Sequence, residues 1–148
     1  QSPLEPELLC APGNPGTGRL ARNIPVEASD VEGLVALAKN EQPDLVIIGP
    51  EEPLVLGLAD RLRELKLRVF GPGAIGAKLE GSKVYSKELL DRHRIPTAQW
   101  RRFDRSGIAK SYLESCKEWP QVVKADGLAA GKGVFVCSDA KSACSAVD

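Results

Sequence analysis

The stretch Asp44-Leu-Val-Ile-Ile-Gly49 limits the folds open to this chain more than any other. A continuous apolar run between a polar residue and a glycine reads as a strand buried on both faces, of the kind found inside a parallel sheet. Helical sequence flanks it. Ser29-Asp-Val-Glu32 has the form of a capping box, and Leu34, Leu37 and Ala38 recur at helical spacing toward an end near Asn40. On the other side Pro53 suits a first helical turn, and Leu54, Leu58, Leu62 and Leu65 form one apolar stripe. Leu67-Arg-Val-Phe70 is the next strand, and Leu8-Leu-Cys-Ala11 an earlier one. Helix and strand in alternation signal βαβ units, hence an α/β fold.

In such a fold ligands gather beyond the carboxyl ends of the strands. Three turns fall there. Pro12-Gly-Asn-Pro-Gly-Thr-Gly18 places Asn14 and Thr17 where they can bond a polar ligand, although Pro and Gly making a turn accounts for it equally. Gly49-Pro-Glu-Glu-Pro-Leu54 puts Glu51 and Glu52 at a strand end and a helix start. There a carboxylate either complements the helix dipole or reaches a substrate amine or hydroxyl. Gly71-Pro-Gly-Ala-Ile-Gly76 fits the dinucleotide pattern G-x-G-x-x-G between a strand and a helix. Two features weigh against a dinucleotide: Pro72 removes a backbone donor, and no second strand ending in an acid follows about 20 residues on.

Residues 82–93 read as a helix opened by Glu80-Gly-Ser-Lys83, with Tyr85, Leu89 and Leu90 on one side. Lys83 is either a solvated surface lysine or one that reaches a phosphate. Ile95-Pro96 stops the helix, and His93 sits at its last turn, where it suits capping of carbonyls. Residues 97–103 read as a strand and residues 108–116 as a helix. A further helix starts at Asp139.

The chemistry concentrates in Lys124-Ala-Asp-Gly-Leu-Ala-Ala-Gly-Lys-Gly-Val134, between the apolar runs Val122-Val123 and Val134-Phe-Val-Cys137. Two strands joined by a loop with three glycines and two lysines make an anion cradle. Glycine lets backbone N–H groups turn toward a ligand, and lysine adds a point charge suited to phosphate. The rival reading is a long hairpin turn. A Walker A loop is excluded, because it needs glycine where Asp126 stands and a hydroxyl where Gly133 stands. A Rossmann fingerprint opens a helix, whereas this loop opens onto a strand.

Composition narrows the partners. Twenty basic and twenty acidic side chains cancel, leaving no electrostatic footprint for nucleic acid or a membrane surface. No apolar run approaches a membrane span. Cys10, Cys116, Cys137 and Cys144 lack metal spacing and read as reduced thiols of a cytoplasmic protein. The chain contains no methionine and stops at Asp148 as a helix begins, as expected of a fragment of a longer enzyme.

The loop at 124–134 resembles the nucleotide loop of the phosphoribosylamine–glycine ligase (glycinamide ribonucleotide synthetase) family within the ATP-grasp superfamily. Residues 12–17, residues 49–54, Leu79-Glu-Gly-Ser-Lys83 and Ile95-Pro-Thr97 are similar to the same family in the same order. The resemblance implies a Rossmann-like preATP-grasp domain over residues 1–72 and the beginning of an ATP-grasp domain over residues 73–148. It implies an Mg²⁺- and ATP-dependent carboxylate–amine ligase of purine synthesis that joins glycine to 5-phosphoribosylamine through a glycyl phosphate. By position, Lys83 and Lys124 contact the ATP phosphates, while Gly127, Leu128, Ala129, Ala130, Gly131, Lys132 and Gly133 form the loop over them. Asn14, Gly16, Thr17 and Glu51 fall on the ribosylamine side. The family begins with a strand and glycine-rich turn that precede this chain, and its Mg²⁺ ligands and most of its glycine site follow it. The chain alone is therefore expected to be inactive and poorly soluble. Two other readings remain: an ATP-grasp ligase with a different acid or amine, or a non-catalytic nucleotide-binding module using residues 71–76.

Overall fold

The computed structural model describes residues 5–128 and 133–148. It contains two compact units, Gln1–Gly81 and Ser82–Asp148.

The first unit is built from short parallel strands and helices. Strand β1 (Leu9–Cys10) pairs in parallel with β2 (Arg22–Asn23), and β3 (Val46–Ile47) with β4 (Val69–Phe70), as two separate two-stranded sheets. Helix α1 (Val31–Glu41) starts at Asp30, whose carboxylate accepts the Gly33 N–H at 2.9 Å. The cap is thus one residue later than the box expected at Ser29. Glu32 turns instead to Arg61, with bonds of 2.7 and 3.0 Å. Gln42 ends the helix in the left-handed region at φ 48°.

Of the stripe Leu54, Leu58, Leu62 and Leu65, the first three are buried, at 8%, 4% and 1% exposure, and Leu65 is half-buried against the same core. The buried three lie on two helices rather than one, α2 (Glu51–Val55) and α3 (Leu58–Glu64). Gly57 between them sits at φ 87°, a left-handed conformation that interrupts a helix and that glycine adopts without steric cost. These leucines join Val35, Ala38, Ile48 and Ala77 in one core. The strand expected to be buried on both faces has only one covered face: Ile48 is 8% exposed, whereas Ile47 and its register partner Phe70 are 68% and 71% exposed. The residues that cluster with Ile48 come from α1, α2, α3 and helix α4 (Ala74–Gly81), and Ile47 and Phe70 lie outside that cluster. Because α4 packs on α2, it stays with the first unit, and the division falls at Gly81 rather than at residue 72.

The second unit opens with α5 (Lys83–Arg92), capped by Ser82, whose hydroxyl accepts the Tyr85 N–H at 3.1 Å. His93 closes the helix through its backbone N–H to Leu89 O. Residues 97–103 join no ladder, contrary to the strand expected there. Side chains of α5 hold this segment instead: Lys87 donates to Thr97 Oγ1 at 2.6 Å and to Ala98 O at 3.1 Å, and Asp91 accepts from Trp100 Nε1 at 2.8 Å. Helix α6 (Ser106–Ser115) follows, then the antiparallel hairpin β5 (Gln121–Lys124) and β6 (Val134–Cys137), then α7 (Ala140–Ser145). Asp139 and Ser142 form a reciprocal capping box at the start of α7. Leu113, Cys137 and Ala143 form the core of this unit.

Candidate functional site

The hairpin delivers the glycine–lysine loop as the sequence expects. Lys124 is the last residue of β5 and pairs with Val134, and the Ala125 N–H donates to Gly133 O at 2.8 Å. Gly127 stands at φ 90°, with open space where a Cβ would go. The glycine is therefore required by backbone conformation and not by crowding. Ala129, Ala130, Gly131 and Lys132 lie outside the described residues.

Lys83 is brought to the mouth of this loop. Its Nζ donates to Gly127 O at 2.8 Å across 44 residues of sequence. The side chain of Lys124 is exposed, and no hydrogen bond or ion pair engages its ammonium among the described residues. Two residues after Lys124 stands Asp126, which the sequence motif does not single out. Its Oδ1 accepts from Val84 N at 3.2 Å, and both its oxygens lie within 3.2 Å of the Ser82 hydroxyl. Partial burial works to raise the Asp126 carboxyl, but the N–H groups of Val84, Gly127 and Lys83 and the Ser82 hydroxyl outweigh it. The pKa is left below the usual aspartate range. The start of α5 is thus already satisfied by an internal carboxylate, and the cationic side chains remain as the phosphate-seeking groups. A signal for Asp126 existed: Ser82 is an N-cap with no acid three residues on, which leaves helix N–H groups for another acceptor.

The turn at residues 12–18 in the first unit is closed on itself. Asn14 Oδ1 accepts from Gly16 N at 2.8 Å and Thr17 N at 3.0 Å. The Thr17 hydroxyl accepts from Asn14 N at 2.7 Å and lies 2.9 Å from Asn23 Oδ1, and Asn23 Nδ2 donates to Asn14 O at 2.8 Å. Asn23 was not signalled by sequence, because only the β1–β2 register brings it here. Glu51 lies exposed in the first turn of α2, beside a shallow concavity bordered by Gly49, Leu54, Pro72 and Gly76. The turn at residues 71–76 is filled from within: Asp60 Oδ2 accepts the Ala74 N–H at 2.7 Å, and a Cβ on Gly73 would meet Asp60 at 2.4 Å. The Ala74 N–H at the start of α4 is therefore already engaged by a carboxylate of the chain itself. Among the described residues no group of three His, Cys, Asp or Glu side chains could hold a metal ion.

Comparison with known proteins fits both units. Residues 1–80 match the family model "Phosphoribosylglycinamide synthetase, N domain", and residues 81–148 match "Phosphoribosylglycinamide synthetase, ATP-grasp (A) domain". Curated relatives include the phosphoribosylamine–glycine ligase of Haemophilus influenzae, 47% identical over 99% of this chain and 34% of the relative. That of Brucella melitensis is 48% identical over the same shares, 99% and 34%. The chain therefore spans about a third of the length of these relatives. Among solved structures, phosphoribosylamine–glycine ligase from Thermotoga maritima superposes with a TM-score of 0.72 at 29% identity, covering 94% of this chain and 32% of that one. The biotin carboxylase domain of Hydrogenobacter thermophilus 2-oxoglutarate carboxylase, solved with MgADP, superposes with a TM-score of 0.67 at 22% identity, covering 83% and 28%; it supports the fold alone. With its first 80 residues on the N domain and the rest on the ATP-grasp domain, this chain belongs to the phosphoribosylglycinamide synthetase family.

Proposed function

We propose that the protein carrying this chain is a cytoplasmic, Mg²⁺- and ATP-dependent ligase that joins glycine to 5-phosphoribosylamine, giving glycinamide ribonucleotide, ADP and phosphate. The observation that carries the reading is the bond from Lys83 Nζ to Gly127 O, which assembles two distant cationic stretches at the mouth of one loop. Bound ATP would supply the phosphoryl group that activates glycine's carboxylate for displacement by the amine. The protein's task in such a reaction is to neutralise charge and align the reactants more than to move protons. Lys83 and Lys124 supply the positive charge that meets the phosphates, and the loop that begins at Gly127 belongs to the same nucleotide site. The donor set of two lysines beside a glycine at positive φ fits a polyphosphate.

On the ribosylamine side, Asn14, Gly16 and Thr17 shape the turn. Asn14 Nδ2, unspent within the turn among the described residues, is the donor offered to a substrate. Glu51, exposed beside its concavity, suits the amine. The test is ADP release by a protein of the relatives' length that carries this sequence. Glycine and freshly made phosphoribosylamine together should stimulate release, and neither should do so alone. Equal release without phosphoribosylamine would reassign the amine.

A further inference from the structure

We propose that Asp126 is a positioning residue that fastens the start of the glycine–lysine loop to the helix carrying Lys83, so that both phosphate-seeking stretches move as one piece. The inference rests on the nucleotide-binding reading above for its purpose, though not for its geometry.

The contacts form a closed ring. Asp126 takes the hydroxyl of Ser82 and the N–H of Val84, the two residues that flank Lys83. Lys83 in turn donates to the carbonyl of Gly127, the residue that follows Asp126. Each stretch therefore holds the other at two adjacent points. A lysine side chain has four rotatable bonds and high rotamer entropy, so its tip alone would hold a loop poorly. A charge-assisted bond at the backbone beside it holds the two stretches at a fixed spacing before any ligand arrives, so that the lysine tip finds Gly127 O within reach. Asp126 is ill suited to proton transfer, because its oxygens are already occupied by donors and its pKa lies below the usual range. It also belongs to no cluster of metal-ligating side chains among the described residues.

The first readout is backbone hydrogen exchange in Asp126→Ala. Exchange at Val84, whose N–H goes to Asp126, should rise about tenfold, while Tyr85, whose N–H goes to Ser82, keeps its protection. A parallel rise at both amides would mean plain loss of structure and would overturn the proposal. Asp126→Asn keeps the shape and one acceptor oxygen, and should show a smaller rise at Val84. Amine labelling of Lys83 without nucleotide should speed up in Asp126→Ala, with Lys39 unchanged as the reference; an unchanged Lys83 rate would also overturn it.

The second readout is MgATP affinity in Asp126→Ala, Lys83→Ala and the double variant. If Asp126 acts through Lys83, the double variant binds about as weakly as Lys83→Ala. Losses that multiply would show independent roles and refute the fastening. Should the unaltered protein bind no MgATP, the ligase reading falls, and exchange and labelling still decide whether Asp126 is the fastener.

Discussion

Two of the glycine-rich turns at strand ends, residues 12–18 and the loop that begins at Lys124, spend their polar groups in opposite ways. In the turn at residues 12–18, Asn14, Thr17 and Asn23 bond one another and the backbone, leaving little unspent. In the loop that begins at Lys124, a carboxylate ties the described stem to α5, and no partner engages the Lys124 ammonium among the described residues. Glycine content alone therefore does not say what a turn offers a ligand: the first leaves the single amide Asn14 Nδ2, and the second offers the charge of Lys124.

Substitutions can break or sharpen this contrast. The largest effect is expected at Lys124→Ala, which should cut ATP-dependent turnover about a hundredfold or more while leaving the melting temperature near its original value. A kcat/KM unchanged by that substitution would remove the loop from the site. Next is Gly13→Ala. Gly13 sits at φ 75° and a Cβ there would come within 2.3 Å of Asn23, so a loss of about 2–3 kcal/mol in urea unfolding of the first unit is expected. Asn23→Ala should cost about 1–2 kcal/mol in the same unit, with MgATP affinity untouched. Gly127→Ala tests the open turn. A Cβ meets nothing there, so only the backbone conformation at φ 90° resists it, at about 1 kcal/mol. If Gly13→Ala and Gly127→Ala prove equally costly, the contrast between a closed and an open turn fails.

The smallest effect is the share of the second unit's pH dependence that Asp126 carries. The folded-state pKa of Asp126 lies below its unfolded value of about 3.8, so the group stabilises the unit above that pH. The contribution is lost as pH falls through the lower, folded value. Acid unfolding followed by tryptophan fluorescence should show it, and Asp126→Asn should reduce it, leaving the share that Asp139 contributes with its lowered pKa.

Local patterns were legible in the sequence where the chain specifies itself. The hairpin, the Ser82-capped helix and the stripe of Leu54, Leu58 and Leu62 all follow from spacing and capping chemistry. Less legible were features decided by one residue in competition with a pattern. Gly57 cuts a helix that the leucine stripe alone would have continued. Asp30 rather than Ser29 caps α1, and Glu32 pairs with Arg61 instead of closing the box. Residues 97–103 look like a strand, but a strand needs a ladder partner, and here the side chains of Lys87 and Asp91 supply the bonds. For the candidate site, the sequence named Lys83 and Lys124 but passed over Asp126 and Asn23. Asp126 meets its partners across 42 and 44 residues, and Asn23 meets Asn14 only through strand register.

Both halves of the ring around Asp126 lie within Ser82–Asp148, and so do both tryptophans, Trp100 and Trp119. A ligand that binds only the folded ring must therefore stabilise that unit by mass action, by about 2.7 kcal/mol at a hundred times its dissociation constant. The first unit gains nothing directly from the same event. Titrating nucleotide into a thermal melt should accordingly draw one transition into two, the one seen by tryptophan climbing with ligand and the other staying where it was.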